Sequence, residues 1–165
     1  MSHLSTTLHV GAPPEIVFDL IADPSRGPEW QKLLVELGEI AGRPGGVGSS
    51  YTGYYHVAGR RIEARFVVTA GERPKIYQAA GTARGGWARW TTFIEPGDGG
   101  SEVRISLEYE LPGEIVGSLL GLLTGSRLQD ALNRTYGELK TVAEADATRS
   151  ANGTRPTVGS AGSAA

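Results

Sequence analysis

The chain has 165 residues, 39% hydrophobic and 21% charged, with sixteen Lys and Arg against eighteen Asp and Glu for a net charge of -2, the balance of one globular domain and not of a disordered or fibrous chain. Its basic residues are scattered, so no basic stripe offers itself to a phosphate backbone and nucleic acid is excluded as a partner. It has no cysteine, which rules out disulfides and thiolate sites, and neither a leader-like N-terminus nor an apolar run of about eighteen residues, so the sequence reads as cytoplasmic, without an integral membrane segment.

In chain order, Leu4, Thr6, Leu8 and Val10 alternate with Ser5, Thr7 and His9, the period of a half-buried strand ending at Gly11. Pro13, Pro14 and Glu15 suit the first turn of a helix, where missing N–H groups cost nothing and a carboxylate meets the dipole favourably; Ile16, Val17, Leu20 and Ile21 supply its buried stripe. Asp23-Pro24 can cap and open a second short helix running to about Trp30, a core anchor. Six strands follow at about 32–40, 48–57, 60–70, 74–82, 86–95 and 101–111, separated by Gly- and Pro-rich turns such as Arg43-Pro44-Gly45-Gly46 and Pro96-Gly97-Asp98-Gly99-Gly100. Connections this short demand antiparallel neighbours, so the sheet is a meander.

After Pro112 the pattern is helical to about Ala145. Leu128, Leu132, Thr135, Leu139 and Val142 share one face, and Ser126 with Gln129 resembles a capping box. One domain over 1–145 is expected, with 146–165 a disordered tail whose single large apolar side chain is Val158. The segment 113–125 is out of phase: in one straight helix Gly117, Gly121 and Gly125 would share the side of Leu128 and Leu132, while Ile115, Val116, Leu119, Leu122 and Leu123 would face away. Either the helix breaks near Thr124-Gly125-Ser126 and packs on the sheet's rim, or an apolar patch serves as a gate, a homodimer contact or a transient membrane contact.

The stretch Pro13 to Pro24, closing in Glu29-Trp30, resembles the opening signature of the Bet v 1-like superfamily (SRPBCC) that includes START domains and the polyketide cyclase/dehydrase group. Ile94-Glu95-Pro96 with Gly99 to Val103, and Leu139 to Glu144, are similar to that group's last hairpin and terminal helix. The resemblance spans residues 4 to 145 and implies an α+β helix-grip fold: a curved antiparallel sheet of about seven strands, two short helices and a long C-terminal helix. It also implies a cavity between sheet and helix for a lipid, polyketide, quinone or other small apolar molecule. Members range from carriers to cyclases, so the fold alone does not select a reaction.

Within such a fold the candidates are amphipathic aromatics, each an apolar body with one polar atom that can orient an apolar ligand. Tyr51 and Tyr55 alternate with outward His56, and Trp90 shares a face with Ile94, Thr92 and Ala88. Phe66, Leu107 and Tyr109 on the strands, and Leu128, Leu132 and Tyr136 on the helix, complete the expected ligand-binding set. For any single residue the competing reading is ordinary core packing. Catalytic candidates are Arg89, His56 and Tyr55; Arg89 would enter the cavity only if strand 86–95 slipped by one residue, carrying Trp87 with it. No histidine or carboxylate spacing suggests a metal, and no cofactor is expected. The expected function is binding of a small hydrophobic molecule. The alternatives are a cyclase, aromatase or dehydratase acting on a bound polyketide, and an interaction module working through 113–125.

Overall fold

A computed structural model describes residues 1–57, 59–112 and 125–153. Strand β1 (Ser2–Val10) leads into helix α1 (Pro14–Ala22) and a 3-10 helix (Pro24–Glu29). Six strands follow: β2 (Leu34–Ala41), β3 (Ser50–Val57), β4 (Arg60–Glu72), β5 (Ile76–Ala83), β6 (Gly86–Gly97) and β7 (Gly100–Glu110). Helix α2 (Gly125–Gly153) closes the described chain. The seven strands form one antiparallel sheet in the order β1-β7-β6-β5-β4-β3-β2. This is the helix-grip α+β architecture. Because β1 and β2 lie at opposite edges, α1 and the 3-10 helix must carry the chain across the sheet, and they do so over its inner face.

Local chemistry fixes these helices. The carbonyl of Pro13 accepts from the N–H groups of Ile16 and Val17 at 3.0 and 3.3 Å, so the proline-rich start leaves no helical bond unmade. Asp23 caps the next segment, its Oδ1 accepting from Ser25 N at 3.0 Å and Ser25 Oγ at 2.6 Å. That segment is 3-10 and not α-helical; it contains Pro28, which can donate no backbone bond.

Buried residues on α2 are Leu132, Tyr136, Leu139 and Ala143. The stripe therefore runs through Tyr136 and Ala143, with Thr135 and Val142 only half-buried at its flank. The helix also continues to Gly153, past the expected end at Ala145. Arg26 of the 3-10 helix reaches Asp146 at 2.7 Å, and Ala147 packs on the core, so the turn after Ala145 has partners that composition alone did not reveal. Gln129 does not close a capping box with Ser126: its amide donates to Ser5 O at 3.1 Å and to Asn133 Oδ1 at 3.2 Å, and the helix is already under way at Gly125. Residues 113–124, on which the gate, dimer and membrane alternatives turn, lie outside the described residues, as does 154–165. No helix among the described residues is long and apolar enough to cross a membrane.

The core is centred where α1 and α2 meet the strands. Val10, Val17, Leu20, Ile94, Val103, Ile105 and Leu139 are sealed from solvent there, at 0–2% exposure. The backbone of α2 lies closest to β1 and α1. The inner face of β3 and β4 is instead built up by aromatic side chains.

Candidate functional site

Alternation along the strands sends Tyr51 and Tyr55 of β3, Phe66 of β4, Trp90 of β6 and Leu107 of β7 to the inner face. Tyr51 lies directly across from Phe66, Phe66 across from Gly81, and Trp90 across from Leu107. The Tyr51 and Phe66 rings stack at 4.8 Å and 15°. Phe66 also meets Tyr55 edge-on at 6.1 Å and Trp90 at 5.6 Å. It reaches Trp90 by leaning over β5, where Gly81 leaves room. A Cβ at Gly81 would stand 2.6 Å from Phe66 Cε1 and 3.2 Å from Trp90 Cζ3. Gly53 plays the same part for Tyr55, whose ring would lie 2.7 Å from an added Cβ.

A second group of side chains lies where the 3-10 helix meets α2. Trp30 tilts against Tyr136 with ring centroids 5.7 Å apart. The Tyr136 phenol hydrogen-bonds the Thr92 hydroxyl, and Tyr55 OH donates to Gln31 Oε1 at 3.3 Å. Burial pushes the phenols of Tyr51, Tyr55 and Tyr136 well above their ordinary range and that of Tyr77 up to about 12. These groups stay protonated near neutrality and can act as hydrogen-bond donors or acceptors, not as bases. Among the described residues the buried polar side chains are Thr52, Thr92 and Ser101, and none is charged.

Of the expected site residues, Tyr51, Tyr55, Phe66 and Trp90 come together in one aromatic patch. Leu107 is buried and Tyr109 half-buried on the adjoining strand, Leu132 and Tyr136 are buried on α2, and Leu128 is half-buried one turn earlier. Arg89 lies apart: it is exposed on the outer face and pairs with Glu108 of β7, because β6 keeps the register that sends Trp90 inward. His56 is exposed too. His3 and His9 bond partners on the outer face of β7, Ser106 Oγ at 2.9 Å and Glu102 Oε1 at 2.8 Å. No group of three His, Asp or Glu among the described residues is placed to hold a metal ion.

Sequence reasoning missed Gln31, which no periodicity marks, and the two glycines, which the rarity of Gly inside strands could have flagged. An open groove of about 650 Å³ occupies the opposite face near the β5–β6 turn, lined by Arg61, Glu63, Arg65, Arg84 and Trp87 among others. Arg61 already pairs with Glu36 and Arg65 with Glu63, and this charged, solvent-open rim does not suit an apolar molecule.

The family described as polyketide cyclase / dehydrase and lipid transport matches the sequence over residues 1–144. No curated protein matches it. Among solved structures, protein CV1439 from Chromobacterium violaceum is 15% identical with a TM-score of 0.69, the match covering 87% of this chain and 99% of that one. TTHA0849 from Thermus thermophilus is 21% identical with a TM-score of 0.67, over 88% of this chain and 99% of that one. Ara h 8.0201 is 14% identical with a TM-score of 0.62, over 86% and 97%. At these identities the likeness is one of fold.

Proposed function

The chain belongs to the polyketide cyclase / dehydrase and lipid transport family, and on that premise we propose that it binds a small, uncharged, apolar molecule between the inner face of the sheet and α2. The observation that carries this reading is the patch formed by Tyr51, Tyr55, Phe66 and Trp90 on the inner face. Its β3 and β4 members lie on the part of that face away from the α1–α2 core, and no buried charge accompanies them among the described residues. Flat rings supply large apolar area at little conformational cost. Catalysis of a cyclase or dehydratase kind would need a group that exchanges protons near neutrality. The phenols are displaced away from that range and the histidines face outward, so binding is the better-supported role.

Native mass spectrometry of protein from its own host is expected to show a co-purifying neutral apolar molecule. Titration with N-phenyl-1-naphthylamine is expected to saturate at one site, and Phe66→Ala is expected to weaken that binding at least about tenfold by collapsing the stack. Failure of the wild-type protein to bind either a host molecule or the probe would refute the reading.

A further inference from the structure

Trp30 is only 6% exposed, and its Nε1 is the buried side-chain polar atom without a hydrogen-bond partner among the described residues. Buried indole N–H groups are normally satisfied, and one that is not calls for a specific explanation. Its surroundings supply one. The Trp30 ring lies against Tyr136, a residue of the inward stripe of α2. The next residue, Gln31, accepts from Tyr55, whose ring borders the aromatic patch through Phe66. Tyr136 and Tyr55 already have polar partners in Thr92 and Gln31. Of this group, Trp30 is the one whose polar atom is fully buried and still without a partner among the described residues.

We propose that the Trp30 indole N–H donates to an oxygen of the bound molecule, and that this molecule is therefore a planar aromatic compound bearing a carbonyl or similar neutral acceptor. The inference rests on the binding role proposed above and narrows it. A fatty acid or a phosphate ester would need a cation, and no buried side chain among the described residues carries one. A pure hydrocarbon would leave the N–H desolvated and unpaired, whereas a ketone oxygen satisfies it. The near-parallel Tyr51–Phe66 stack favours flat rings over a flexible chain.

The test compares 2-acetylnaphthalene with its hydrocarbon counterpart 2-isopropylnaphthalene on wild-type protein and on Trp30→Phe, which keeps an aromatic ring and removes the donor. Wild type is expected to prefer the ketone, and Trp30→Phe to lose about five- to tenfold in ketone affinity while hydrocarbon affinity holds. The thermal midpoint should fall, because the smaller ring leaves a void in the core beside Tyr136, and for that reason the two probes are compared on the same variant. As a second readout that needs no variant fold, the Trp30 indole proton of wild type should move downfield in the NMR spectrum with the ketone and not with the hydrocarbon. Equal affinity of wild type for both probes, or a Trp30→Phe loss common to both with no movement of the indole proton, would overturn the Trp30 assignment and leave the binding role standing. Binding of neither probe to wild type would sink the assignment together with the binding role beneath it.

Discussion

At the residue scale, the aromatic patch depends on a side chain that is missing. Phe66 can stack on Tyr51 and still touch Trp90 because Gly81 lies between them across β5. In Gly81→Ala the new methyl would meet Phe66 at 2.6 and 2.8 Å, and the stacked Tyr51 ring limits where Phe66 can retreat. The expected cost is about 1–3 kcal/mol of stability, read from urea unfolding, with weakened binding of an aromatic probe. Unchanged stability and affinity would mean that the patch repacks freely. The same residues mark how far sequence reading reaches. Strict alternation set Tyr51, Tyr55 and Trp90 facing inward, and on β6 a slip of one residue would have turned Ile94 and Thr92, both now buried, to solvent. Trp30 could be read only as a core anchor. Its apolar ring carries the burial signal, whereas the state of its N–H depends on groups distant in sequence. Gln31 gave no signal at all, being one half-buried polar residue in a connection.

At the element scale, strands were legible to within a few residues because Gly and Pro punctuate them, and β7 most clearly, with Val103, Ile105 and Leu107 buried between exposed or half-exposed polar neighbours. Helix α2 was less so. Its last turns carry few large apolar side chains and read as tail, yet they are tied down by charge. Asp146 receives Arg26 Nη1 at 2.7 Å and also pairs with Arg149, while Arg26 further pairs with Glu29 at 2.7 Å. The Arg26 guanidinium holds both carboxyls below their usual range. Asp146 is 13% exposed, so this pair should contribute more than a fully solvated one. Asp146→Asn is expected to cost about 1–2 kcal/mol at pH 7. The loss should shrink as the pH falls through the depressed folded value, because below it the wild-type carboxyl is also protonated. A chain ended at Ala145 should melt below one ended at Gly153, since it loses both Asp146 and the packing of Ala147. Equal melting of the two would show that the clamp contributes nothing.

For the whole molecule, the interior sets the pH range over which the fold survives. Burial raises the phenols of Tyr51, Tyr55, Tyr77 and Tyr136, with Tyr77 at about 12 against an ordinary value of 10.0. The folded state thus holds these protons at pH values where the unfolded chain gives them up. Their contribution is fully present below pH 10, and that of Tyr77 is lost as the pH rises through about 12, since each phenol that ionises only in the unfolded chain favours unfolding; Tyr51, Tyr55 and Tyr136, also raised, act in the same sense. On the acid side Glu29, Glu144 and Asp146 act in the opposite sense. Their folded values are lowered by Arg26, by Lys140 with the Gly11 N–H, and by Arg26 respectively, so their contribution is present above the ordinary carboxylate range and fades below it. Between the two limits these groups leave stability flat. Urea unfolding followed from about pH 6 to about pH 11.5 should therefore show a plateau and then a fall above pH 10, steepening toward about 1.4 kcal/mol per pH unit for each buried phenol. Replacing one phenol, as in Tyr136→Phe, should make that fall shallower by one group's share, after allowing for the lost bond to Thr92. A decline of equal steepness in Tyr136→Phe would mean that this phenol titrates normally and that the inner face there is wet. That result would also remove the water-excluding environment on which binding of an uncharged aromatic molecule depends.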